Sequence, residues 1–401
     1  MRARKAGTVL AGISCLVVFA GFAVRVVADC SSFGLPFTDL GTTSFCAQIA
    51  EAYYTGLSNG TSATTYSPTQ NVPREQMAAF VTRTLDKSLS RGSHRAALQR
   101  FWTLTPHFDI NFGVTAVGTT PESIAPDGTD VWVGANDGTV TRVRGSDGAV
   151  LDTWTTGAGV GDCAVLAVMG KVFVSADGTL YSIDPTHDHT TAPTQLAAAH
   201  MALALAFDGS KIWSAADEAG IDIFTPGAST PWSYVNFQGS SPDPSQPPSI
   251  PSGIVWDGAN MWTPDRGDGT LKKLSTDGST TVQNVDLGGL GTSTGGIVFD
   301  GTNLWVPTSK DSVYSVYVVR ASTGSVVRIL TGNGLSGPGA IAFDGQRILV
   351  ANSNSTVSLF QATSLEPIGS FPTGAALGFA AASDGLNFWL TLPLANQLVR
   401  Y

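Results

Sequence analysis

The sequence predicts a mainly all-β chain whose bulk is a seven-bladed β-propeller of four-stranded antiparallel blades, preceded by a small helical domain. Among its 401 residues are 45 glycines and 21 prolines, and only 13% are charged, a composition that favours short strands joined by tight turns. One phrase, an apolar run followed by Asp-Gly and an aromatic strand, returns throughout residues 105–401. Its copies are spaced at the length of one propeller blade.

The first 28 residues have the pattern of a secretory signal peptide. Three of the first five residues are basic, an apolar run extends from Gly7 to Val24, and Ala28 is a small residue that suits cleavage. The run is also long enough for an uncleaved anchor. Both alternatives predict export to the periplasm, the cell surface or the extracellular space. Loss of this segment removes four cations and no acids, which takes the net charge from −9 to near −13. We therefore expect no nucleic-acid partner.

The three cysteines outside the predicted signal peptide indicate neither a metal site nor a cofactor. Cys30 and Cys46 lie close together in the small domain, and Cys163 lies alone in a later apolar strand. An oxidising compartment permits a disulfide between Cys30 and Cys46, but their spacing does not decide between a bridge and two free thiols. We expect Cys163 to be a buried apolar residue. The sequence contains no Cys and His cluster with the spacing of a structural zinc site, and we expect no metal.

Two segments of residues 29–88 carry apolar residues at helical spacing. The first lies between Ser44 and Tyr54, and Gly56 follows it as a stop signal. The second begins at Pro73, and one of its faces carries Met77, Phe80, Val81 and Leu85. The sequence therefore predicts a small domain built around two short helices.

Phe37-Thr38-Asp39, Tyr66-Ser67-Pro68 and the segment 72–77 (Val-Pro-Arg-Glu-Gln-Met) follow one another in this order. On these motifs, residues 29–88 resemble an S-layer homology (SLH) domain. The resemblance implies binding to cell-wall or envelope polysaccharide, with Arg74 matching the family's arginine and Glu75 and Gln76 beside it. The family's common acid at the last position of this motif is Gln76 here. The alternative is that these residues only favour the first turn of a surface helix, where Glu75 complements the helix dipole.

Residues 89–104 are predicted to be a linker. They include a local basic patch, formed by Arg91, His94, Arg95 and Arg100, next to Phe101 and Trp102. Solvation of this patch and contact with a membrane or wall polymer are the two alternatives.

Seven repeat units follow between residues 105 and 401. Their turn markers are Asp127, Met169, Asp208, Asp257, Asp300, Asp344 and Asp384, with steps of 42, 39, 49, 43, 44 and 40 residues. Tryptophans recur at one position of the second strand: Trp132, Trp213, Trp262, Trp305 and Trp389. We expect the tryptophans to pack between blades and the Asp-Gly pairs to form turns, so that these aspartates are not catalytic acids.

The last unit is too short for a complete blade, because only 17 residues follow Asp384. The segment Phe112–Val117 precedes the first unit at the place of an outer strand. We therefore expect it to pair with the last blade and to close the ring, which removes an exposed sheet edge.

Phrases such as Ile341-Ala342-Phe343-Asp344-Gly345, Trp305-Val306-Pro307 and Leu349-Val350-Ala351-Asn352 resemble those of bacterial extracellular propellers. The families concerned are the YVTN, NHL and virginiamycin B lyase-like propellers. This resemblance covers residues 105–401 and implies the fold more strongly than an activity, since such propellers include scaffolds, ligand binders and some enzymes.

Antiparallel blades place the turn after the second strand and the link between blades at the same end of the ring, which is where we expect a ligand. Polar residues at this end are Asn136, Asp137, Asp177, Asp217, Glu218, Asp265, Arg266, Asp268, Lys310, Asp311, Asn352 and Asn354. Polar hairpin tips without a ligand are the alternative. The segment Asp265–Gly269 lacks the spacing and the terminal Glu of an EF-hand loop, which favours a hairpin turn over a calcium site.

These observations favour an exported cell-envelope or surface protein, in which the SLH-like domain docks to envelope glycan and the propeller is a binding scaffold. The alternatives are a virginiamycin-B-lyase-like lyase or hydrolase, with His187 or His189 as general base, and a purely structural array component. We expect no catalytic residues, because the sequence has no nucleophile elbow, glycine-rich phosphate loop or haem-attachment motif.

Overall fold

The computed structural model describes Cys30, residues 35–41, 43, 45, 46, 49, 52, 53, 58–90 and 114–401, the last range with gaps at 146, 160, 199, 201, 217–219, 228–231, 237–249, 279, 290–292 and 374–377. The predicted signal peptide lies outside the described residues, as does most of the predicted linker. The chain divides into two compact units, Met1–Phe80 and Val81–Tyr401. Among the described residues, no helix has the length and apolar character needed to cross a bilayer.

The first unit has a small core in which helical residues face a loop. Cys46, Ile49, Ala52 and Tyr53 are helical, within the segment for which a first helix is predicted. The ring of Phe37 packs edge-on against Tyr53 at 5.1 Å. Cys30 and Cys46 are both buried and are joined by a disulfide. Helix α1 spans Arg74–Ser90 and begins directly after Pro73, as the sequence predicts; the division between the two units falls within this helix.

Asp39 organises the loop beside this core. Its carboxylate accepts the backbone N–H groups of Tyr66 at 2.8 Å and Ser67 at 2.7 Å. These two hydrogen bonds lower the pKa of Asp39, because they stabilise its ionised form. The ring of Tyr66 lies 5.3 Å from that of Phe37. The Phe37-Thr38-Asp39 motif therefore supplies one residue to the core and another to the loop that covers it.

The second unit is a ring of antiparallel sheets in which each blade begins with its inner strand. Blade 1 contains β2 (Pro121–Pro126), β3 (Asp130–Ala135), β4 (Thr139–Arg144) and β5 (Val150–Thr155). Blade 2 contains β6 (Cys163–Val168), β7 (Lys171–Ala176), β8 (Thr179–Ile183) and β9 (Thr194–Ala198). Blade 3 contains β10 (Ala202–Phe207), β11 (Ile212–Ala216), β12 (Gly220–Phe224) and β13 (Trp232–Asn236). Blade 4 contains β14 (Val255–Trp256), β15 (Met261–Asp265), β16 (Thr270–Leu274) and β17 (Thr281–Asp286).

The remaining three blades contain one irregular inner strand. In blade 5 this strand is divided into β18 (Ser293–Thr294) and β19 (Val298–Phe299), which both pair with β20 (Asn303–Lys310), and β21 (Val313–Arg320) and β22 (Ser325–Thr331) follow. Blade 6 contains β23 (Pro338–Phe343), β24 (Arg347–Asn352), β25 (Thr356–Gln361) and β26 (Pro367–Pro372). Blade 7 contains β27 (Ala381–Ser383), β28 (Phe388–Leu392), β29 (Gln397–Arg400) and β1 (Val114–Ala116). The prediction of seven four-stranded antiparallel blades is confirmed.

Strand β1 comes from the opposite end of the propeller sequence from its partner. It pairs with β29 in the register Val114 to Val399, and it lies within the segment 112–117 to which the sequence assigned this role. The hydroxyl of Thr115 donates to the carbonyl oxygen of Gly148 at 2.6 Å, and Thr120 N–H donates to Asn396 Oδ1 at 2.9 Å. Blade 7 is thereby completed by the chain segment that leads into blade 1.

The core lies between the blades. The five repeated tryptophans are fully buried, and each packs against apolar residues of a neighbouring blade, as Trp305 does against Ile341 and Val350. Burial of an indole of about 200 Å² contributes on the order of 5 kcal/mol to folding stability, as an upper bound. The tryptophans therefore make a large contribution to the packing between blades. Blade 6 has Leu349 and blade 2 has Phe173 on the second strand, and both are buried as well.

Candidate ligand-binding face of the propeller

The Asp-Gly turns form hydrogen bonds with the tryptophans that follow them. In five blades the indole Nε1–H donates to the Oδ2 atom of the turn aspartate at 2.7 to 2.8 Å; the pairs are Trp132 with Asp127, Trp213 with Asp208, Trp262 with Asp257, Trp305 with Asp300 and Trp389 with Asp384. The other oxygen accepts two backbone N–H groups, as Asp300 Oδ1 does from Thr302 at 2.8 Å and Asn303 at 2.6 Å. These carboxylates hold the hairpins together, which agrees with their predicted role as turn residues.

In the turn of blade 3 the hydrogen bonds also lower the pKa of the aspartate. Burial acts to raise the pKa of Asp208, but N–H donors from Lys211, Trp213 and Ser210 outweigh it, so that the pKa lies below its ordinary value. In blade 6, which has no tryptophan at this position, Arg347 Nε donates to Asp344 Oδ2 at 2.8 Å. A guanidinium there replaces the indole as the donor.

At the opposite end of the ring, three of the predicted ligand residues fasten the links between blades. Asp137 Oδ2 accepts the N–H of Thr119 at 2.8 Å, and Asp265 Oδ1 accepts the N–H of Ile250 at 2.8 Å. Asn352 Oδ1 accepts the N–H of Ser336 at 3.2 Å. In each case a polar residue near the end of the second strand anchors the chain that enters the same blade. These side chains therefore stabilise the face on which they lie.

Asp265 and Asp268 surround a lysine. Lys272 on β16 places its Nζ atom 3.2 Å from Asp265 Oδ2 and in hydrogen-bond contact with Asp268 Oδ2. The side chains of Asp265 and Lys272 are 1% and 8% exposed, so this ion pair is buried. In the turn for which a calcium site was the alternative to a hairpin, an ammonium group of the chain itself thus contacts both carboxylates.

The other predicted residues of this face also serve local structure. Asp177 and Asp311 have positive φ angles of 44° and 49° in their turns. Lys310 Nζ donates to the carbonyl oxygen of Gly288, and Thr356 Oγ1 donates to Asn354 Oδ1 at 2.6 Å. Asp217 and Glu218 lie outside the described residues.

Arg74, Glu75 and Gln76 form the exposed first turn of α1, in which Glu75 is the acidic residue. This position is compatible with both alternatives, namely that these residues bind glycan or that they only favour the start of the helix. Their role in glycan binding stays a prediction.

The two histidines of the alternative enzyme hypothesis lie on the turn between β8 and β9, at the end of the ring that carries the Asp-Gly turns. His189 Nδ1 lies 2.6 Å from Asp152 Oδ1, and His187 Nδ1 lies 3.9 Å from Asp184 Oδ2. Both imidazoles are more than half exposed. Neither histidine lines the central channel of the ring. Cys163 is buried, and its burial raises the pKa of the thiol to about 12.

The inner strands enclose a central channel of about 510 Å³, to which all seven blades contribute. Its lining comes from the first half of each inner strand and from nearby turns, so that it lies toward the end of the ring where the sequence places a ligand. Most of the lining is glycine, alanine, isoleucine, leucine or valine, and the charged side chains among the described lining residues are Glu122 and Arg266. Of the residues predicted for this face, Arg266 lines the channel. Glu122 was not predicted.

Glycines bring the inner strands of blades 4, 5 and 6 into backbone contact. A Cβ atom on Gly295 would stand 2.3 Å from the carbonyl oxygen of Gly339, a distance that no side chain tolerates. Gly296 N–H donates to the same oxygen at 3.0 Å, and the hydroxyl of Ser252 donates to the carbonyl oxygen of Gly295 at 3.0 Å. These contacts hold the inner strands of blades 4 to 6 close together at the wall of the channel.

Glu122 occupies a bulge of β2, where the register with β3 shifts between Pro121 and Ser123. Its Oε1 atom accepts a hydrogen bond from Asn136 Nδ2 at 3.0 Å, whereas Oε2 is excluded from solvent and has no hydrogen-bond partner. Burial raises the pKa of Glu122, and the nearby charge of Asp162 adds to this rise, whereas the bond from Asn136 and the backbone N–H of Cys163 oppose it. A bulge re-aims a side chain, which explains why the alternation of the strand did not reveal this residue.

No group of three or more His, Cys, Asp or Glu side chains arranged to hold a metal ion occurs in the part of the chain that the structure describes.

Comparison with known proteins identifies the fold but not a family. No protein-family model matches the chain, and no curated protein sequence matches it. The resemblances to SLH domains and to the YVTN, NHL and virginiamycin B lyase-like families therefore stay predictions. Among solved structures, a chain of Kuenenia stuttgartiensis hydrazine synthase is similar with a TM-score of 0.57 and 13% identity, over 71% of this chain and 95% of that chain. The WD40 β-propeller domain of Doa1 is similar with a TM-score of 0.57 and 13% identity, over 72% of this chain and 95% of that chain. At such identities the likeness concerns the fold alone, and the chain is a seven-bladed β-propeller preceded by a small helical unit.

Proposed function

We propose that this protein is an exported binding scaffold of the cell envelope. Its propeller binds a protein partner at the channel end of the ring, and its small unit attaches the molecule to envelope polysaccharide. The observation that carries the proposal is the contrast between the two ends of the ring. The Asp-Gly end repeats one internal hydrogen-bonding scheme, whereas at the channel end the repetition is broken by Glu122, Arg266 and the half-exposed Phe379.

Broken repetition indicates a binding function because a structural role is met equally well by every copy of a repeat. The polar groups that recur, such as Asp137, Asp265 and Asn352, already have partners within the ring. A group that occurs in one blade only is not explained by the repeat. Phe379 is 53% exposed on the channel side of blade 7, and exposed aromatic residues are typical of contact sites with proteins.

The binding face is tested by photo-crosslinking in the full chain. A photoreactive amino acid replaces Asn354, an exposed residue of the channel end, or Thr302, an exposed residue of the Asp-Gly end. We expect envelope extracts to give a discrete cross-linked protein from position 354 that untagged full chain competes away, and no such product from position 302. Equal cross-linking from both positions, or none from position 354, would contradict the scaffold proposal.

Attachment to the envelope is tested by co-sedimentation of the full chain with purified cell-wall polysaccharide. Replacing Arg74 by Ala removes a charged hydrogen-bond donor, and we expect affinity to fall roughly tenfold. Arg328→Ala removes an exposed cation of the propeller and serves as the matched control, with unchanged binding expected. Full binding by the Arg74 variant removes this residue from the site, and absence of binding by the unaltered chain removes the docking role.

Export is tested by joining residues 1–28 to a reporter enzyme that is active only outside the cytoplasm. We expect activity, and we expect the mature protein to begin at Asp29 if the signal is cleaved. A mature chain that begins at Met1 and sediments with membranes would identify the uncleaved anchor. An inactive reporter would contradict export.

A further inference from the structure

Glu122 is the acidic side chain that lines the channel among the described residues, and no cation of the chain is paired with it there. Asn136 donates to Oε1, and the backbone N–H of Cys163 is close enough to stabilise the ionised carboxylate, but Oε2 is shielded from solvent and has no hydrogen bond of normal geometry. Glu122 forms no ion pair with any described residue, and the charge of Asp162 is close by. An ionised carboxylate in such a place is unfavourable unless a cation approaches it. The carboxylate torsion of glutamate is soft, so that a small rotation turns Oε2 toward an incoming donor.

An aromatic ring stands on the neighbouring blade. Phe379 lines the same channel from blade 7, which is packed against blade 1 through the contact of Trp389 with Val131 and Val133. Phe379 is half exposed, in contrast to the buried tryptophans of the repeat. The face of an aromatic ring attracts ammonium and guanidinium groups, and Glu122 adds a negative charge to the lining of the same channel.

The other residues of the channel lining indicate which groups accompany the positive charge of the ligand. Ile124, Ala340 and Ala381 are small or aliphatic, which suits the methylene stem of an alkyl cation. Arg266 belongs to blade 4, on the far side of the ring from blade 1, and its positive charge disfavours a second cation in the same channel. The channel is thus matched to one cationic group on an aliphatic stem.

We propose that the channel end binds a single alkylammonium or alkylguanidinium group, which contacts the Glu122 carboxylate and the Phe379 ring while its stem lies along the inner strands. This inference rests on the proposed function, because it names what the channel end recognises. The basic side chain of a protein partner and a free aliphatic amine share this chemistry, and the experiment separates the two sources.

The test titrates the full chain with three cationic probes, Nα-acetyl-lysine methylamide, Nα-acetyl-arginine methylamide and n-butylamine, and with the neutral Nα-acetyl-norleucine methylamide. We expect the cationic probes to bind and the neutral probe to bind at least tenfold more weakly. Glu122→Gln keeps the acceptor for Asn136 but removes the charge, and we expect a roughly 10- to 100-fold loss of affinity. Phe379→Leu gives a smaller loss. Glu366→Gln, an exposed acid on the outside of blade 6, is the control and leaves binding unchanged.

The pH dependence gives a second readout. Because burial raises the pKa of Glu122 above its ordinary value of 4.5, the carboxylate takes up its proton as pH falls through this raised value. Binding of the cationic probes therefore decreases at a pH where an ordinary glutamate is still ionised, and Glu122→Gln removes this dependence.

Several outcomes overturn the inference: equal binding of the lysine and norleucine probes, undiminished binding by Glu122→Gln, or no binding of any cationic probe. Stronger binding of the lysine or arginine amide than of butylamine identifies a basic side chain as the natural occupant, and the reverse order identifies a free amine. If position 354 still cross-links a partner while the probes fail, this inference is wrong and the scaffold proposal stands. If the probes bind through Glu122 while no partner cross-links, the scaffold proposal is wrong and the cation site stands.

Discussion

The ammonium group of Lys272 contacts two aspartates at the turn between β15 and β16. It lies between two carboxylates, and its side chain is 8% exposed. Asp265 is the more deeply buried of the two carboxylates, and it also accepts the N–H groups of Ile250 and Gly267 at 2.8 Å each. One lysine therefore neutralises an aspartate that the link into blade 4 needs as an acceptor.

Replacing Lys272 by Met should destabilise the propeller by about 3 to 5 kcal/mol, because it removes the ammonium group that compensates the buried charge of Asp265. The double variant Lys272→Met with Asp265→Asn should regain most of this loss, since an amide oxygen still accepts both backbone N–H groups. Urea unfolding of the three proteins measures the effect. A double variant as unstable as the single one would show that the ion pair itself, and not the orphaned charge, carries the stability.

Asp39 should make the stability of the small unit depend on pH in the acidic range. Its pKa is lowered by the N–H donors of Tyr66 and Ser67, so its contribution to folding is complete above its ordinary value of 3.8 and disappears as pH falls through the lowered value. The amide resonances of Tyr66 and Ser67 should titrate together with a midpoint below 3.8. In Asp39→Asn these resonances should not titrate, and a midpoint at or above 3.8 in the unaltered chain would contradict the role of the two hydrogen bonds.

At this scale the sequence predicts residue types better than residue roles. Asp137 and Asn352 were expected to face a ligand, because both fall on hairpin tips at the channel end. Their real partners are backbone N–H groups 18 and 16 residues earlier in the chain, and only the folded blade brings them together. Glu122 was not predictable from the sequence for the opposite reason, since a single glutamate in an apolar strand has no repeat that marks it.

The hairpin between the first and second strands is the element that the repeat preserves. Its aspartate accepts two backbone N–H groups of the turn and one indole N–H of the following strand. The tryptophan then extends into the space between blades, so one short segment both closes its own turn and supplies the contact with the next blade. Asp-Gly and Trp recur together because each depends on the other.

Asp300→Ala should destabilise the propeller by about 3 kcal/mol, since four N–H donors lose their acceptor. The loss of stability that comes from hydrogen bonds should be smaller in Trp305→Phe than in Asp300→Ala. The reason is that Asp300 Oδ2 still accepts from Asn303 Nδ2, at 3.2 Å. Glu366→Ala, an exposed acid, serves as the control and should change stability by less than about 0.5 kcal/mol. Thermal and urea unfolding measure all three, and equal stability of Asp300→Ala and the control would refute the role of the hairpin bond.

The number and order of these elements are predictable from the sequence because each hairpin is a local signal. Gly128, Gly209, Gly258, Gly301, Gly345 and Gly385 all have positive φ angles, which explains why the turns keep glycine. The donor in blade 6 was not predictable in the same way. Arg347 replaces the indole only because its guanidinium folds back onto Asp344, a contact that depends on the side-chain conformation.

For the molecule as a whole, the ring stays closed through contacts between its two chain ends. Strand β1 pairs with β29, and the guanidinium of Arg400 donates to the carbonyl oxygen of Gly145 in blade 1 at 3.0 Å. The spacing of the repeats predicts seven units, and the short last unit predicts that a strand from elsewhere is needed. The channel at the centre was not predictable in size or lining, because it depends on where seven inner strands come to rest.

Deleting residues 105–118 should therefore harm the propeller in two ways. It exposes the edge of β29, which favours aggregation, and it removes the covalent passage from blade 7 to blade 1, which lowers the cooperativity of unfolding. Light scattering measures the first effect and the steepness of urea unfolding measures the second. Deletion of residues 29–88 should produce neither effect.

The two effects can be separated by moving the strand instead of losing it. In a variant that lacks residues 105–118, residues 112–118 are placed after Tyr401 through a short turn. The added strand then runs antiparallel to β29, in the direction of β1, so it covers the open edge, but it no longer leads into blade 1. We expect aggregation to return to the level of the unaltered chain while unfolding stays less cooperative. If the moved strand restores cooperativity as well, edge pairing alone closes the ring; if it relieves neither defect, the pairing of β1 with β29 does not hold the propeller together.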